Sequence, residues 1–157
     1  MQGGGCLVDE QVPGFIVEEI QNLNLKRSIT FSAVPQTATP PVTSLAFRSD
    51  GKMLAIGNGA GQIHLVNPAD GKVLRATQAQ HTSSVTGLAF HPGLGVLGSC
   101  SKDRTVKLWD VNSGAQLVNL DGHTAWVQGV VFLEKGTRIA TVGADQTVRV
   151  WDLTPKK

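Results

Sequence analysis

Residues 84–110 read SVTGLAFHPGLGVLGSCSKDRTVKLWD, a run of short apolar segments separated by turns that contain glycine. The same arrangement occurs twice more, as PVTSLAFRSDGKMLAIGNGAGQIHLVN at residues 41–67 and as WVQGVVFLEKGTRIATVGADQTVRVWD at residues 126–152. The three stretches end 43 and 42 residues apart. A fixed period of this length indicates a repeat architecture, in which each unit completes its core against its neighbours.

Each repeat indicates short strands joined by tight turns. The expected strands of the first repeat span residues 42–47, 53–56, 62–66 and 72–76. Asp50-Gly51 and Asp70-Gly71 lie between strands, and such pairs favour hairpin turns. Several strands are apolar on both faces, which is typical of a sheet packed between two other sheets. Stacked four-stranded sheets of this kind predict an all-β propeller fold.

Polar residues recur at equivalent positions of the second and third repeats. They are His81, Ser99, Asp103 and Trp109 in the second repeat, and His123, Thr141, Asp145 and Trp151 in the third. Asp follows Trp in both, and this combination resembles the WD40 repeat family across residues 28–153. The resemblance implies that each set forms a buried hydrogen-bonded tetrad. It also implies β-propeller blades of the WD40 type: three four-stranded antiparallel blades, an incomplete propeller unless association completes it.

The same side chains invite a catalytic interpretation, with Ser99 or Thr141 as the nucleophile of a triad. Two copies at the repeat period, each with a tryptophan that a triad does not need, favour a structural network. No nucleophile elbow accompanies either copy. We therefore expect no enzymatic activity and no catalytic residue.

The first repeat departs from this pattern. The residues that align with the four tetrad positions are Ala38, Ile56, Ala60 and Val66. A polar network that is only partly satisfied costs more free energy than an apolar core. We expect this blade to be stabilised by apolar packing alone.

Three repeats are too few for a closed ring, which typically has about 4–8 blades. The third repeat stops after three strands, while residues 28–34 (SITFSAV) align with the outermost strand of the first repeat. In the family, an N-terminal strand often completes the last blade. We divide the chain into residues 1–27, an extension or a remnant of a preceding blade, and the WD40 repeat region 28–157, with units ending near residues 67, 110 and 152. A second copy, another propeller fragment or the rest of a longer chain would supply the missing blades.

The resemblance implies a non-catalytic scaffold that presents a propeller face to other proteins or peptides. In the family, partners dock mostly on the rim, or on the loops before the first strands and between the second and third strands. Here those loops contain Ser84, Lys102, Arg104 and Trp126. Trp126 is the leading candidate because aromatic residues dominate interface energies, and packing between blades is its alternative role. Lys102 and Arg104 could form a small basic spot for an acidic partner.

Composition argues against several other partners. A net charge of +2 and scattered basic residues do not favour nucleic acid or a membrane surface. His64 and His91 have no neighbouring ligands at metal spacing, so we expect neither metal nor cofactor. The two cysteines, and a start without an apolar signal segment, favour the cytoplasm. The alternative function is a fragment or subunit of a larger WD40 protein whose other domains carry an enzymatic or regulatory activity.

Overall fold

The computed structural model describes residues 40–154 of the protein. These residues form three antiparallel sheets in chain order, each built from consecutive strands. The first sheet contains β1 (Val42–Phe47), β2 (Leu54–Asn58), β3 (Ile63–Val66) and β4 (Val73–Ala76), in that spatial order.

The other two sheets repeat this order. The second sheet contains β5 (Val85–Phe90), β6 (Val96–Ser101), β7 (Val106–Asp110) and β8 (Gln116–Leu120). The third sheet contains β9 (Val127–Leu133), β10 (Arg138–Gly143) and β11 (Val148–Asp152), with a 3-10 turn at Glu134–Gly136 between the first two.

The all-β architecture of stacked, incomplete propeller blades is therefore confirmed. Among the described residues the third sheet has three strands, against four in each of the others. The expected completing strand at 28–34 and the extension 1–27 lie outside the described residues. Within residues 40–154, no helix is long and apolar enough to cross a membrane.

Turn chemistry sets where the strands begin. Gly51 has a left-handed φ of 68°, and its N–H donates to the carbonyl of Arg48 at 2.9 Å. Asp50 accepts from the N–H of Lys52 and forms a 2.7 Å ion pair with Arg48. This turn makes β2 begin at Leu54, one residue later than expected.

The middle sheet is buried on both faces, as its two-sided apolar pattern predicts. Toward the first sheet, Leu97 and Trp109 pack with Ile63 and Leu65. Toward the third sheet, Cys100, Val106 and Leu108 join a second cluster with Val127 and Ile139. Full burial of one large aliphatic side chain contributes about 1.5–3 kcal/mol, so these two interfaces hold the stack together.

The inner strands β1, β5 and β9 lie side by side. The Thr43 hydroxyl of β1 donates to the carbonyl of Val85 in β5 at 2.6 Å. Thr86, its equivalent in β5, donates in the same way to the carbonyl of Val127 in β9. Each step from one blade to the next therefore carries a side-chain to backbone bond besides the apolar core.

The outward face of the third sheet is apolar and exposed. Val148 and Val150 of β11 are 69% and 57% exposed, whereas their equivalents Val106 and Leu108 in β7 are 0% and 5% exposed. The third sheet covers β7, but no further sheet among residues 40–154 covers β11. This end of the stack carries a face suited to a further blade.

Candidate interaction face

The tetrad positions of the second sheet lie within hydrogen-bond distance of one another. His81 Nδ1 is 2.8 Å from Asp103 Oδ2, and His81 Nε2 is 2.7 Å from Ser99 Oγ. The Trp109 indole N–H donates to the same Ser99 Oγ at 2.8 Å. A neutral imidazole that donates through Nδ1–H accepts the serine hydroxyl at Nε2, so every polar atom of the set is paired.

The third sheet repeats this geometry. His123 Nδ1 is 2.8 Å from Asp145 Oδ2, and His123 Nε2 is 2.9 Å from Thr141 Oγ1. The Trp151 indole N–H donates to Thr141 Oγ1 at 3.0 Å. Ser99 and Thr141 are only 0% and 1% exposed, which leaves neither hydroxyl accessible to a substrate. The arrangement suits a structural role.

Burial and hydrogen bonding act in opposite directions on the tetrad carboxylates. Burial alone would raise the pKa of Asp103, but hydrogen bonds from Thr105 and the nearby His81 hold that pKa below its usual value. For Asp145, burial likewise opposes ionisation, and donors led by the Thr147 hydroxyl lower its pKa. Burial lowers the pKa of His81 despite the opposing effect of Asp103, so this imidazole is neutral at neutral pH.

Each tetrad aspartate also ties two loops together. Asp103 Oδ2 accepts from the N–H of Thr82, just before β5, at 3.0 Å. Asp145 Oδ2 accepts from the N–H of Thr124, just before β9, also at 3.0 Å. The aspartates themselves lie in the β6–β7 and β10–β11 turns. The tetrads therefore fix the loops of one face of the stack.

Sequence reasoning missed a fifth member of each network. Thr105 donates its hydroxyl and its N–H to Asp103 Oδ1, at 2.7 and 2.9 Å. Thr147 makes the same two bonds to Asp145 Oδ1, at 2.8 and 3.1 Å. The signal was present, because Thr105 and Thr147 recur at the repeat period, two residues after each aspartate.

The first sheet replaces its missing tetrad in two ways. Leu54, Ile56 and Val66 form a buried apolar cluster, as expected for a blade without the polar set. In the β2–β3 turn, however, the buried Asn58 accepts from two backbone N–H groups and donates to Gln62 Oε1 at 2.9 Å. The expectation of apolar packing alone is therefore wrong for the turn, where an asparagine does what the aspartate does elsewhere.

Backbone bonds join the loops of this face in the same way in every sheet. The Lys102 N–H donates to the Ser84 carbonyl at 3.0 Å, and the Ala144 N–H donates to the Trp126 carbonyl at 2.7 Å. In the first sheet, Gly59 donates to the Pro41 carbonyl at 2.9 Å. Ser84 is thus held beside Lys102, and a role of either residue in binding stays a prediction.

The structure brings two of the predicted contact residues together across a sheet boundary. Trp126, before β9, is 53% exposed, and Lys102 Nζ from the β6–β7 turn lies 4.5 Å from the centre of its ring. An ammonium group over an indole face at this distance makes a cation–π contact. Packing between blades does not bury this tryptophan, and its role in binding stays a prediction.

Arg104 lies in the same turn as Lys102 and is exposed. Its φ is 72°, in the left-handed region, like Gly61 (85°) and Gln146 (63°) at the equivalent positions. The turn geometry thus requires a positive φ at this position, whichever residue occupies it. We call the surface of Ser84, Lys102, Arg104 and Trp126 the interaction face.

The remaining histidines lie in the β5–β6 turn (His91) and on β3 (His64). His91 Nδ1 accepts from the N–H groups of Gly93 and Leu94, at 3.0 and 2.9 Å, and its ring packs edge-on against Phe132. His64 is half-buried in β3, and burial lowers its pKa. Within residues 40–154, no group of three or more His, Cys, Asp or Glu side chains could hold a metal ion.

Comparison with known proteins agrees with the fold. The family described as "WD domain, G-beta repeat" matches residues 72–110 and 114–152. The "Anaphase-promoting complex subunit 4 WD40 domain" family matches residues 16–83.

Similar proteins include Coronin-7 of Bos taurus, 36% identical over 123 residues, which are 69% of this chain and 13% of the relative. WD repeat and SOCS box-containing protein 1 of Homo sapiens is 33% identical over 100 residues, 62% of this chain and 24% of the relative. Pre-mRNA-processing factor 19 homolog 2 of Arabidopsis thaliana is 44% identical over 56 residues, 36% of this chain and 11% of the relative. The chain thus spans a quarter or less of each of these relatives. With two tetrad geometries and these matches, the chain belongs to the WD40 repeat family.

Proposed function

We propose that this chain is a non-catalytic scaffold whose interaction face binds another protein or peptide with an acidic segment. The observation that carries the proposal is the exposed Trp126 with Lys102 over its ring. Large aromatic and basic side chains are enriched among residues that dominate binding energies. WD40 repeats generally mediate protein–protein interactions, and proteins of this family are generally non-catalytic scaffolds.

The charge of the face supports an acidic partner. Lys102 and Arg104 are both exposed, and neither takes part in an ion pair among the described residues. A carboxylate approaching Trp126 would meet Lys102 first. Because the tetrad aspartates anchor the loops beneath, the face is already ordered before a partner arrives, which lowers the entropy lost on binding.

The proposal includes completion of the propeller by further blades. The exposed face of β11 supports this, because a WD40 blade normally packs on two neighbours. A second copy, another propeller fragment or more of the same chain could supply them, and the last source agrees with the small share of each relative that is matched. In that case the chain is part of a larger WD40 protein, whose other domains carry an enzymatic or regulatory activity.

A cytoplasmic location belongs to the same proposal. Cys100 is a fully buried thiol, and burial raises its pKa to about 11. Cys100 is also a free thiol, and free cysteines are common where the surroundings are reducing.

Quantitative affinity purification with matched variants tests the face. Wild-type protein, Trp126→Ala and Val73→Thr are compared, since Val73 is a similarly exposed apolar residue (48%) in β4, away from the face. We expect proteins with acidic segments to be captured by the wild type and by Val73→Thr, and to be lost with Trp126→Ala. Thermal unfolding should stay unchanged in both variants. Equal capture by all three proteins would contradict the proposal.

A further inference from the structure

The side chain of His91 closes the turn between β5 and β6. Its Nδ1 accepts from the N–H groups of Gly93 and Leu94, two and three residues further along the chain, at 3.0 and 2.9 Å. An imidazole nitrogen accepts a hydrogen bond only while it carries no proton, so both bonds require the neutral ring with its proton on Nε2. The closed form of this turn therefore depends on the charge of His91.

A carboxylate closes another turn of the second sheet in the same way. In the β7–β8 turn, Asp110 Oδ1 accepts from the N–H groups of Asn112 and Ser113, at 2.7 and 2.9 Å. Hydrogen bonds from Ser113 and Asn112 lower the pKa of Asp110, so its carboxylate stays ionised and keeps both bonds at neutral and mildly acidic pH. His91 makes the equivalent pair of bonds with a group that loses its acceptor when it is protonated.

The ring of His91 also joins the second sheet to the third. It packs edge-on against Phe132 of β9, and it lies against Gly136, where a Cβ would collide with the imidazole. Glu134, Lys135 and Gly136 all have a left-handed backbone, with φ of 48°, 58° and 99°. Two consecutive non-glycine residues in this region cost free energy, which the contacts of the turn must offset. The ring of His91 supplies one of these contacts.

The carboxylates of the first two sheets near His91 already have partners. Arg48 and Asp50 line a cavity together with His91, and they form a 2.7 Å ion pair with each other. Asp110, at the end of β7, accepts from the N–H groups of its own turn. Neither carboxylate therefore offers an unpaired charge to a protonated ring.

The third sheet presents a positive charge to the same ring. Lys135 lines a groove together with His91 and has no ion-pair partner among the described residues. Glu134 is paired with Arg138 at 3.1 Å, and Asp152 is hydrogen-bonded within its own turn. A protonated imidazole in this position would be repelled by Lys135 and would also lose the bonds to its own turn.

We propose that His91 is a pH-sensitive switch at the contact between the second and third sheets. Its neutral ring closes the β5–β6 turn and packs against Gly136, whereas a proton taken up at Nδ1 opens the turn and releases the ring from the third sheet. The change occurs at the opposite end of the strands from the interaction face, since the tetrad aspartates lie in the β6–β7 and β10–β11 turns. It goes beyond partner binding by that face and does not depend on it.

NMR of the full chain between pH 8 and pH 5 tests the proposal, because histidine changes its charge in this range. We expect the amide signals of Gly93, Leu94 and Gly136 to shift with the same midpoint as the ring signals of His91. Protection of the Gly93 and Leu94 amides against hydrogen exchange should fall about tenfold, since each loses one hydrogen bond. The reference at each pH is the pair of amides bonded to Asp110, whose protection should not change.

His91→Asn is the matched variant, because an asparagine oxygen can accept from the same two N–H groups but does not titrate in this range. The Gly93 and Leu94 amides of this variant should stay protected at both pH values. In His91→Ala, which has no acceptor, they should be unprotected at both.

Three results would overturn the proposal. The first is that the amides of the turn, or that of Gly136, do not follow the His91 ring in the wild type. The second is a ring that stays neutral down to pH 5. The third is a His91→Asn variant that responds as the wild type does, since another histidine would then be responsible. The wild-type titration decides the question even if neither variant folds.

Discussion

The hydroxyl of Thr43 donates a 2.6 Å hydrogen bond to the carbonyl of Val85, and this bond links the inner strand of one blade to the inner strand of the next. Thr86 makes the same link to Val127. At the following position of the repeat the chain has Gln128, which is exposed. The blades are thus joined at the centre of the stack by polar contacts, as well as by apolar packing farther out.

Removal of these links should weaken the stack. We expect Thr43→Val and Thr86→Val each to lower the free energy of unfolding by about 1 kcal/mol, since valine keeps the side-chain volume but cannot donate. Urea unfolding followed by tryptophan fluorescence measures the change. Thr82→Val is the control, because the described bond of Thr82 to Asp103 uses its backbone N–H and survives the substitution. Equal stability of Thr86→Val and Thr82→Val would contradict this prediction.

The structure predicts that a hydroxyl side chain is stabilising at residue 99 of the second blade, whereas an apolar side chain is stabilising at the equivalent residue 56 of the first. Ser99→Ala leaves the indole N–H of Trp109 and Nε2 of His81 without their partner, and we expect a loss of about 2 kcal/mol.

Ile56 occupies the equivalent position in the first blade, within an apolar cluster. Ile56→Ser should cost about 2–4 kcal/mol, and its control Ile56→Val about 1 kcal/mol. Thermal or urea unfolding of the wild type, Ser99→Ala, Ile56→Ser and Ile56→Val measures these differences in stability. A serine tolerated at residue 56 would show that this blade can form a polar network after all.

Acid should destabilise the fold in two stages. The pKa of His81 is lowered from 6.5 by burial, so the unfolded chain takes up this proton first and stability falls as pH drops below about 6.5. His64 contributes with the same sign, for the same reason. The pKa of Asp103 is held below 3.8, so its contribution is present above about pH 3.8 and is lost as pH falls through its folded-state pKa.

Melting temperatures measured from pH 8 to pH 3 test this dependence. His64→Gln should reduce the first stage and leave the Asp103 stage in place. A melting temperature that rises between pH 6.5 and pH 5 would contradict the prediction.

The left-handed turn position predicts another asymmetry. Gly61→Ala should destabilise strongly, because a Cβ there would collide with the carbonyl of His81 and the backbone would be strained. Arg104→Gly relieves the strain of an L-residue at φ 72°, but it also raises the conformational entropy of the unfolded chain. Because these effects oppose each other, we expect the free energy of unfolding to change by at most about 1 kcal/mol. Calorimetry checks both. Since Arg104→Gly keeps the fold, it also tests whether the Arg104 side chain contributes to partner binding.

Much of the fold follows from periodicity alone. The first strands of the three repeats begin at Val42, Val85 and Val127, as the alignment predicts, because the alternation of apolar residues fixes which side chains enter the core. Strand ends were less predictable. β2 extends to Asn58, whose side chain accepts hydrogen bonds from the N–H groups of Ala60 and Gln62 in the following turn. This extension is an effect of hydrogen bonding rather than of strand propensity.

Contacts between blades depend on distances that no local pattern contains. Lys102 and Trp126 were each singled out by loop position, but their contact depends on how two sheets pack.

The bond from Thr43 to Val85 and its counterpart from Thr86 to Val127 show that each blade meets the next by the same means. Units joined in this way depend mainly on their nearest neighbours for stability. Substitutions in one unit therefore affect the packing of its immediate neighbours and not of more distant units. The first blade accordingly lacks the histidine, serine and tryptophan of the two blades after it, yet its strands follow the same order.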